Sequence, residues 1–208
     1  MIALINYGLG NIQAFVNVYQ RLHIPVMVAE TAEDIFAASK LILPGVGHFD
    51  HAIDLLNQSG MRQAIETQVL KNNVPILGIC VGMQILSNRS DEGDKPGLGW
   101  IDGEVRSLEH IVRSTESNPL PHMGWNDVIA SNSSPLFVGC ILDDLRFYFL
   151  HSFYFDCGKP EVNCIATTDY SDNFCCAVNS KNIYGVQFHP EKSHHFGEII
   201  LKNFAELT

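Results

Sequence analysis

Apolar positions in the first part of the chain follow two alternating rhythms. Short runs that are apolar nearly throughout, Met1–Asn6, Val26–Ala29, Lys40–Leu43 and Pro75–Ile79, predict strands. Between them apolar residues recur every three or four positions, as in Ile12, Phe15, Val16, Tyr19 and Leu22. This spacing predicts helices over Asn11–Leu22, around Ile53–Leu56, over Met61–Leu70, and opening at Met83–Ser87. Thr31, with Asp34 three residues on, predicts a capped helix from Ala32. Strands that alternate with helices imply a parallel sheet covered on both faces. The unbroken apolar character of LILP and ILGI fits strands buried on both sides.

The second part changes rhythm. Glu104–Leu108, Trp125–Ile129, Phe147–Leu150, Cys164–Thr168, Cys175–Asn179 and Ile183–Phe188 read as strands, mostly joined by polar turns. They predict a mixed or small antiparallel portion. Asn88–Gly99 and Glu109–Pro121 read as loops, and a last helix is expected over about Phe196–Leu207. The expectation is one α/β domain spanning 1–208, with a mostly parallel central sheet flanked by helices.

Composition narrows the function. The chain has 208 residues, of which 46% are hydrophobic and 17% charged, which suits a globular core. A net charge of −10 argues against a nucleic-acid partner. No apolar run approaches the roughly 20 residues that span a bilayer, so no membrane association is expected. The start, MIALINYGLGN, lacks the basic n-region and long apolar stretch of a signal peptide. Six cysteines without a CxxC pair fit a reduced, cytoplasmic protein with free thiols.

Three stretches carry chemistry. Gly78-Ile79-Cys80-Val81-Gly82 lies between a strand and a helix and has the form of a nucleophile elbow with Cys in place of Ser. Flanking glycines permit the tight turn, the N–H of Val81 can face a developing oxyanion, and a helix N-terminus favours thiolate. The same turn is also compatible with a structural cysteine. In Tyr184–Ser193 (YGVQFHPEKS), His189 and Glu191 sit two apart on one face of an extended segment. A carboxylate that orients an imidazole is what a thiol nucleophile needs, although an isolated HPE is more often a surface pair. Pro44-Gly45-Val46-Gly47 ends another strand and can offer backbone N–H groups to an oxyanion, or it is a simple turn. The ends of parallel strands line one crevice, so the three stretches are expected to converge.

Other motifs carry less. Gln13 breaks the G-x-G-x-x-G pattern at Tyr7–Asn11, which removes a nucleotide site. The pairs His194-His195 and Cys175-Cys176 lack metal-ligand spacing, so neither metal nor cofactor is expected. His122 and His151 read as structural, and the aromatic clusters Phe147–Phe149 and Phe153–Phe155 as core.

PGVG, GICVGMQ and FHPEKS together resemble the class I, triad-type glutamine amidotransferases, which have a flavodoxin-like sheet. NYGLGN, PHMGWN (Pro121–Asn126), FLHSFYF (Phe149–Phe155) and HPEKS are similar, in order and over nearly the whole length, to the glutaminase subunits of imidazole glycerol phosphate synthases. The resemblance implies Cys80 as nucleophile toward L-glutamine, His189 as base and Glu191 as its orienter. It implies oxyanion donors at Val81 and at Val46 or Gly47, and glutamine contacts at Gln84 and Glu92. Ammonia would pass to a (β/α)₈ cyclase in a heterodimer, with Asn11, Trp125, Asn126 and Lys192 facing that partner. The products would be imidazole glycerol phosphate and an aminoimidazole carboxamide ribotide. Departures from the pattern fall at Asn6, at Gln13-Ala14, at Val81 after the cysteine, and at Phe153. The loop DEGDKPGLGW (Asp91–Trp100) is similar to paralogues thought to supply ammonia for amidino sugars of surface polysaccharides. A stand-alone γ-glutamyl hydrolase and a non-enzymatic binding module are the remaining alternatives.

Overall fold

Asn11 and Thr31 start the first two helices as their side chains dictate. Asn11 Oδ1 accepts from Ala14 N–H at 3.1 Å. Thr31 and Asp34 exchange side-chain-to-backbone bonds of 3.2 and 3.0 Å, a complete capping box. The computed structural model describes residues 1–112, 119–131, 133–140 and 144–207. Residues 113–118 of the expected loop over Glu109–Pro121 lie outside that set.

The first part is a series of βα units: β1 (Ile2–Ile5), α1 (Ile12–Arg21), β2 (Val26–Ala29), α2 (Ala32–Ala37), β3 (Lys40–Gly45), α3 (Phe49–Gln58), α4 (Arg62–Glu66, widening into a π turn at Thr67–Lys71) and β4 (Ile76–Cys80). After the single turn α5 (Val81–Gln84) come β5 (Gly103–Ser107), β6 (His122–Ala130), β7 (Arg146–His151), β8 (Phe153–Cys157), α6 (Pro160–Asn163), β9 (Cys164–Asp169), β10 (Asn173–Ser180), β11 (Ile183–Val186) and α7 (His194–Glu206).

Nine of these strands form one sheet in the order β2-β1-β3-β4-β11-β10-β9-β6-β7. The half from β2 to β11 is parallel. From β11 to β7 every pairing is antiparallel. β5 and β8 make a separate antiparallel pair. Strands β1, β3, β4 and β11 are buried along almost their whole length, as expected for a sheet covered on both faces. α7 packs beside α1, where the buried Tyr19 donates its hydroxyl to the Leu201 carbonyl at 3.1 Å.

One local expectation is corrected. The helix after Cys80 starts at Val81 and lasts one turn rather than running over Met83–Ser87. It stops because the loop that follows takes over the carbonyls: Leu98 N–H bonds to Ile85 O, Trp100 N–H to Leu86 O and Gly99 N–H to Ser87 O. Phe153–Phe155 are core aromatics as read: they open β8, with Phe155 fully buried and Phe153 and Tyr154 packed against the core. The chain leaves the main sheet at Ser152, so one apolar run serves two sheets.

Candidate active site

Cys80 closes β4 with φ 55° and ψ −115°, a conformation that L residues rarely hold. Such strain, of order 1–3 kcal/mol, persists only where the surroundings enforce it. Here the enforcement is the close approach of α5 to the sheet. A Cβ on Gly78 would sit 2.5 Å from the Gly82 carbonyl oxygen, and one on Gly82 would overlap the Leu43 carbonyl. The two glycines let the turn lie flat on β3 and β4, and the cysteine between them is pushed out at the strand end. Cys80 is buried at 4% exposure. Val81 is the first residue of α5, so its N–H has no intrahelical acceptor. With one helical turn behind it, the helix dipole adds little at Cys80.

His189 follows β11 and is anchored by backbone. Its N–H donates to the Tyr148 carbonyl at 2.9 Å. Ser193 Oγ donates to the His189 carbonyl at 2.7 Å and accepts from Tyr148 N–H at 3.0 Å. His189 itself is extended, but Pro190–Lys192 form a 3₁₀ turn instead of continuing the strand. That turn brings Glu191 back under the ring: Oε1 lies 2.8 Å from His189 Nδ1, with side-chain exposures of 4% and 3%. The second oxygen, Oε2, is buried and has no hydrogen-bond partner among the described residues. Nδ1–H therefore donates to the carboxylate, and Nε2 is the ring nitrogen left free of that contact. Burial lowers the pKa of His189, but interactions with Cys80 and Glu191 outweigh it and raise the value to about 10.

Cys80, Val81 and His189 line one cavity of about 370 Å³. Val46 and Gly47 form part of its wall, Val46 at 40% exposure and Gly47 with φ +85°. Gln84, Glu92 and Lys192 complete the predicted set on this wall. Gln84 is buried and donates Nε2 to the Phe153 carbonyl and to Gln187 Oε1, both at 3.0 Å. Glu92 Oε2 accepts from Phe49 N–H at 2.8 Å, which ties its loop to the start of α3.

The remaining predicted residues lie off the cavity wall. Trp125 is 41% exposed on the outer face of β6, stacked 5.3 Å from the His194 ring. Asn126, one residue on, faces the opposite side of the strand. It donates Nδ2 to the Asp169 carbonyl and accepts Asp127 N–H at Oδ1. Asn11 is exposed, at the cap of α1. Lys192, by contrast, is on the wall, and its Nζ lies 5.6 Å from the Tyr148 ring centroid.

Sequence reasoning passed over two residues that touch the site. Tyr7, in the loop set aside as a failed nucleotide motif, donates its hydroxyl to the Pro44 carbonyl at 2.8 Å. Gln187 is fully buried, with its amide nitrogen 3.7 Å from Cys80 Sγ. The only signal for Gln187 was a polar side chain between Val186 and Phe188 in an otherwise apolar run.

A buried thiol and an imidazole backed by a carboxylate thus line one cavity beyond the ends of the parallel strands. The sequence signature of the class-I glutamine amidotransferases matches residues 3–207, and the chain belongs to that family of enzymes. Among its relatives, the "Imidazole glycerol phosphate synthase subunit HisH" of Bdellovibrio bacteriovorus is 58% identical over the full length of both chains. The protein of the same name from Leptospira interrogans is 44% identical, again over both full lengths. The fold is similar to a crystal structure of a glutamine amidotransferase, with TM-score 0.75 and 16% identity, covering 99% of this chain and 97% of the other.

Proposed function

We propose that the chain is the glutaminase subunit of an imidazole glycerol phosphate synthase and works through Cys80, His189 and Glu191. The observation that carries this reading is the juxtaposition of Cys80 with an imidazole held 2.8 Å from a buried carboxylate. Full-length likeness to subunits of that name supports the choice of partner.

In this reading, His189 Nε2 takes the thiol proton and Cys80 Sγ attacks the side-chain carboxamide carbon of L-glutamine. The carbonyl oxygen becomes an oxyanion, held by N–H groups of Val81 and of Val46 or Gly47. The C–N bond breaks as His189 returns its proton to nitrogen, and ammonia leaves. Water, deprotonated by His189, then attacks the γ-glutamyl thioester, and the C–S bond breaks to give glutamate and the free thiol. Glu191 stabilises the imidazolium in both halves. Gln84 and Glu92 hold the substrate.

Ammonia is then delivered to a (β/α)₈ cyclase in a cytoplasmic heterodimer, for histidine biosynthesis. A surface for that partner borders the cavity. On β6 and β7, Met123 pairs with Leu150 and Trp125 with Tyr148. Met123, Trp125 and Leu150 are 64%, 41% and 39% exposed, and Leu150 and Lys192 also line the cavity. An apolar rim that continues into an active site suits a protein lid.

The test is glutamine hydrolysis measured with and without a histidine-pathway cyclase and its nucleotide ligand. Strong stimulation is expected. No stimulation would turn the acceptor toward amidino-sugar synthesis, the alternative raised by the Asp91–Trp100 loop, or toward a lone γ-glutamyl hydrolase.

A further inference from the structure

A carboxamide looks alike from its oxygen and nitrogen ends, but the neighbours of Gln187 tell them apart. The Phe153 carbonyl can only accept, and Gln84 donates Nε2 to it at 3.0 Å. That fixes the orientation of Gln84. The same nitrogen meets Gln187 at 3.0 Å, so the oxygen of Gln187 must face it. The Gln187 NH₂ group is thereby aimed at Cys80 Sγ, 3.7 Å away.

The Phe153 carbonyl has a second donor, His151 Nδ1, at 2.8 Å. His151 Nε2 is then an acceptor and receives His122 Nδ1–H at 2.9 Å. His122 Nε2 in turn accepts from Asn126 Nδ2 at 3.2 Å, and that nitrogen also donates to the Asp169 carbonyl at 2.7 Å. Every proton along the line has one place. His122 lies between the rings of Phe149 and Tyr170, with centroids 4.6 and 4.0 Å away. Burial lowers the pKa of His122 to about 4, and burial with the neighbouring His122 and His189 lowers that of His151 to about 3, so both rings stay neutral.

We infer that Gln187 is a positioning residue for the nucleophile: its N–H, locked in direction by the contacts that meet on the Phe153 carbonyl, donates to the Cys80 sulfur and holds it in the cavity beside His189. A hydrogen bond to sulfur favours the form that carries charge. The inference rests on the reading of Cys80 as nucleophile. The other titratable groups around the sulfur are Tyr7, Glu92, His151, His189 and Lys192, and none is altered in the test.

The test is the pH dependence of Cys80 alkylation by iodoacetamide, followed by mass spectrometry on the full chain. Gln187→Met keeps the volume and removes the donor. Its alkylation midpoint should move to higher pH, and its rate near neutral pH should fall roughly tenfold. In assays of glutamine hydrolysis, kcat should fall with it while KM changes less. Gln187→Asn draws the amide back by one methylene and should shift the midpoint the same way, and it carries the test if Gln187→Met does not fold. A profile that superimposes on the wild type, with or without a lower melting temperature, overturns the inference. If Cys80→Ala still hydrolyses glutamine, the nucleophile assignment fails separately, because alkylation reports the thiol itself.

Discussion

Tyr7 reaches across from the loop after β1 and donates its hydroxyl to the carbonyl of Pro44 at 2.8 Å. Both groups are buried, and the bond ties the NYGLGN loop to the glycine loop beside Cys80. Gly10 fits the same junction, since a Cβ there would lie 2.8 Å from Pro44 Cβ. A Tyr7→Phe variant leaves the Pro44 carbonyl without this donor. It should lose about 1–2 kcal/mol in urea unfolding, and glutaminase kcat should fall as the Val46–Gly47 backbone loosens.

Gly82→Ala tests the packing that creates the elbow. Within a helix the change would ordinarily favour folding by roughly 1 kcal/mol. Here the new methyl overlaps the Leu43 carbonyl, which is sheet backbone and cannot step aside. The steric effect wins. We expect a loss of more than about 3 kcal/mol, read as a fall in the denaturant midpoint or as insoluble protein.

The Glu191–His189 contact has a pH signature. Against the effect of burial, Cys80 and then Glu191 raise the folded pKa of His189 from 6.5 to about 10, and Glu191 carries part of that shift. A raised value means the folded state binds the proton more tightly. The stabilisation is full below about pH 6.5 and is lost as the pH climbs through about 10. Urea unfolding of wild type and Glu191→Gln across that range should show the gap between them narrowing upward. The same variant should lower kcat on the order of a hundredfold or more.

His122 and His151 act in the opposite direction. Their folded values lie below 6.5, at about 4 and about 3, so the unfolded chain binds more protons in acid. Their contribution is full above pH 6.5 and is lost as the pH falls through 4 and 3. Replacing both with Phe should lower stability at neutral pH and flatten its dependence on pH between 6.5 and 4, measured by urea midpoints.

Trp125→Ala should weaken binding of the cyclase roughly tenfold or more, measured by titrating the stimulation of glutaminase activity. An unchanged titration would place the partner on another face.

The parallel half of the sheet was legible because β1, β3 and β4 are apolar almost throughout, and Thr31 announces the helix it caps. That Cys80 and the His189–Glu191 pair stand together around one cavity was legible because each sits in a short motif whose local turn does the positioning. The contacts of Gln187 and Tyr7 were not, because their partners lie far away in the chain. Gln187 meets a cysteine 107 positions earlier, and Tyr7 a carbonyl 37 positions later. Single side chains carry no mark of such contacts. The 3₁₀ turn at Pro190–Lys192 was hidden for a different reason: Pro190 favours extended backbone at the residue before it but leaves those after it free to turn.

The outward side of β6 and β7 shares its border with the cavity mouth at Leu150. A protein seated on that strand pair would therefore also roof the reaction chamber. Adhesion and enclosure would then be one event, and ammonia would first meet whatever molecule had come to rest there.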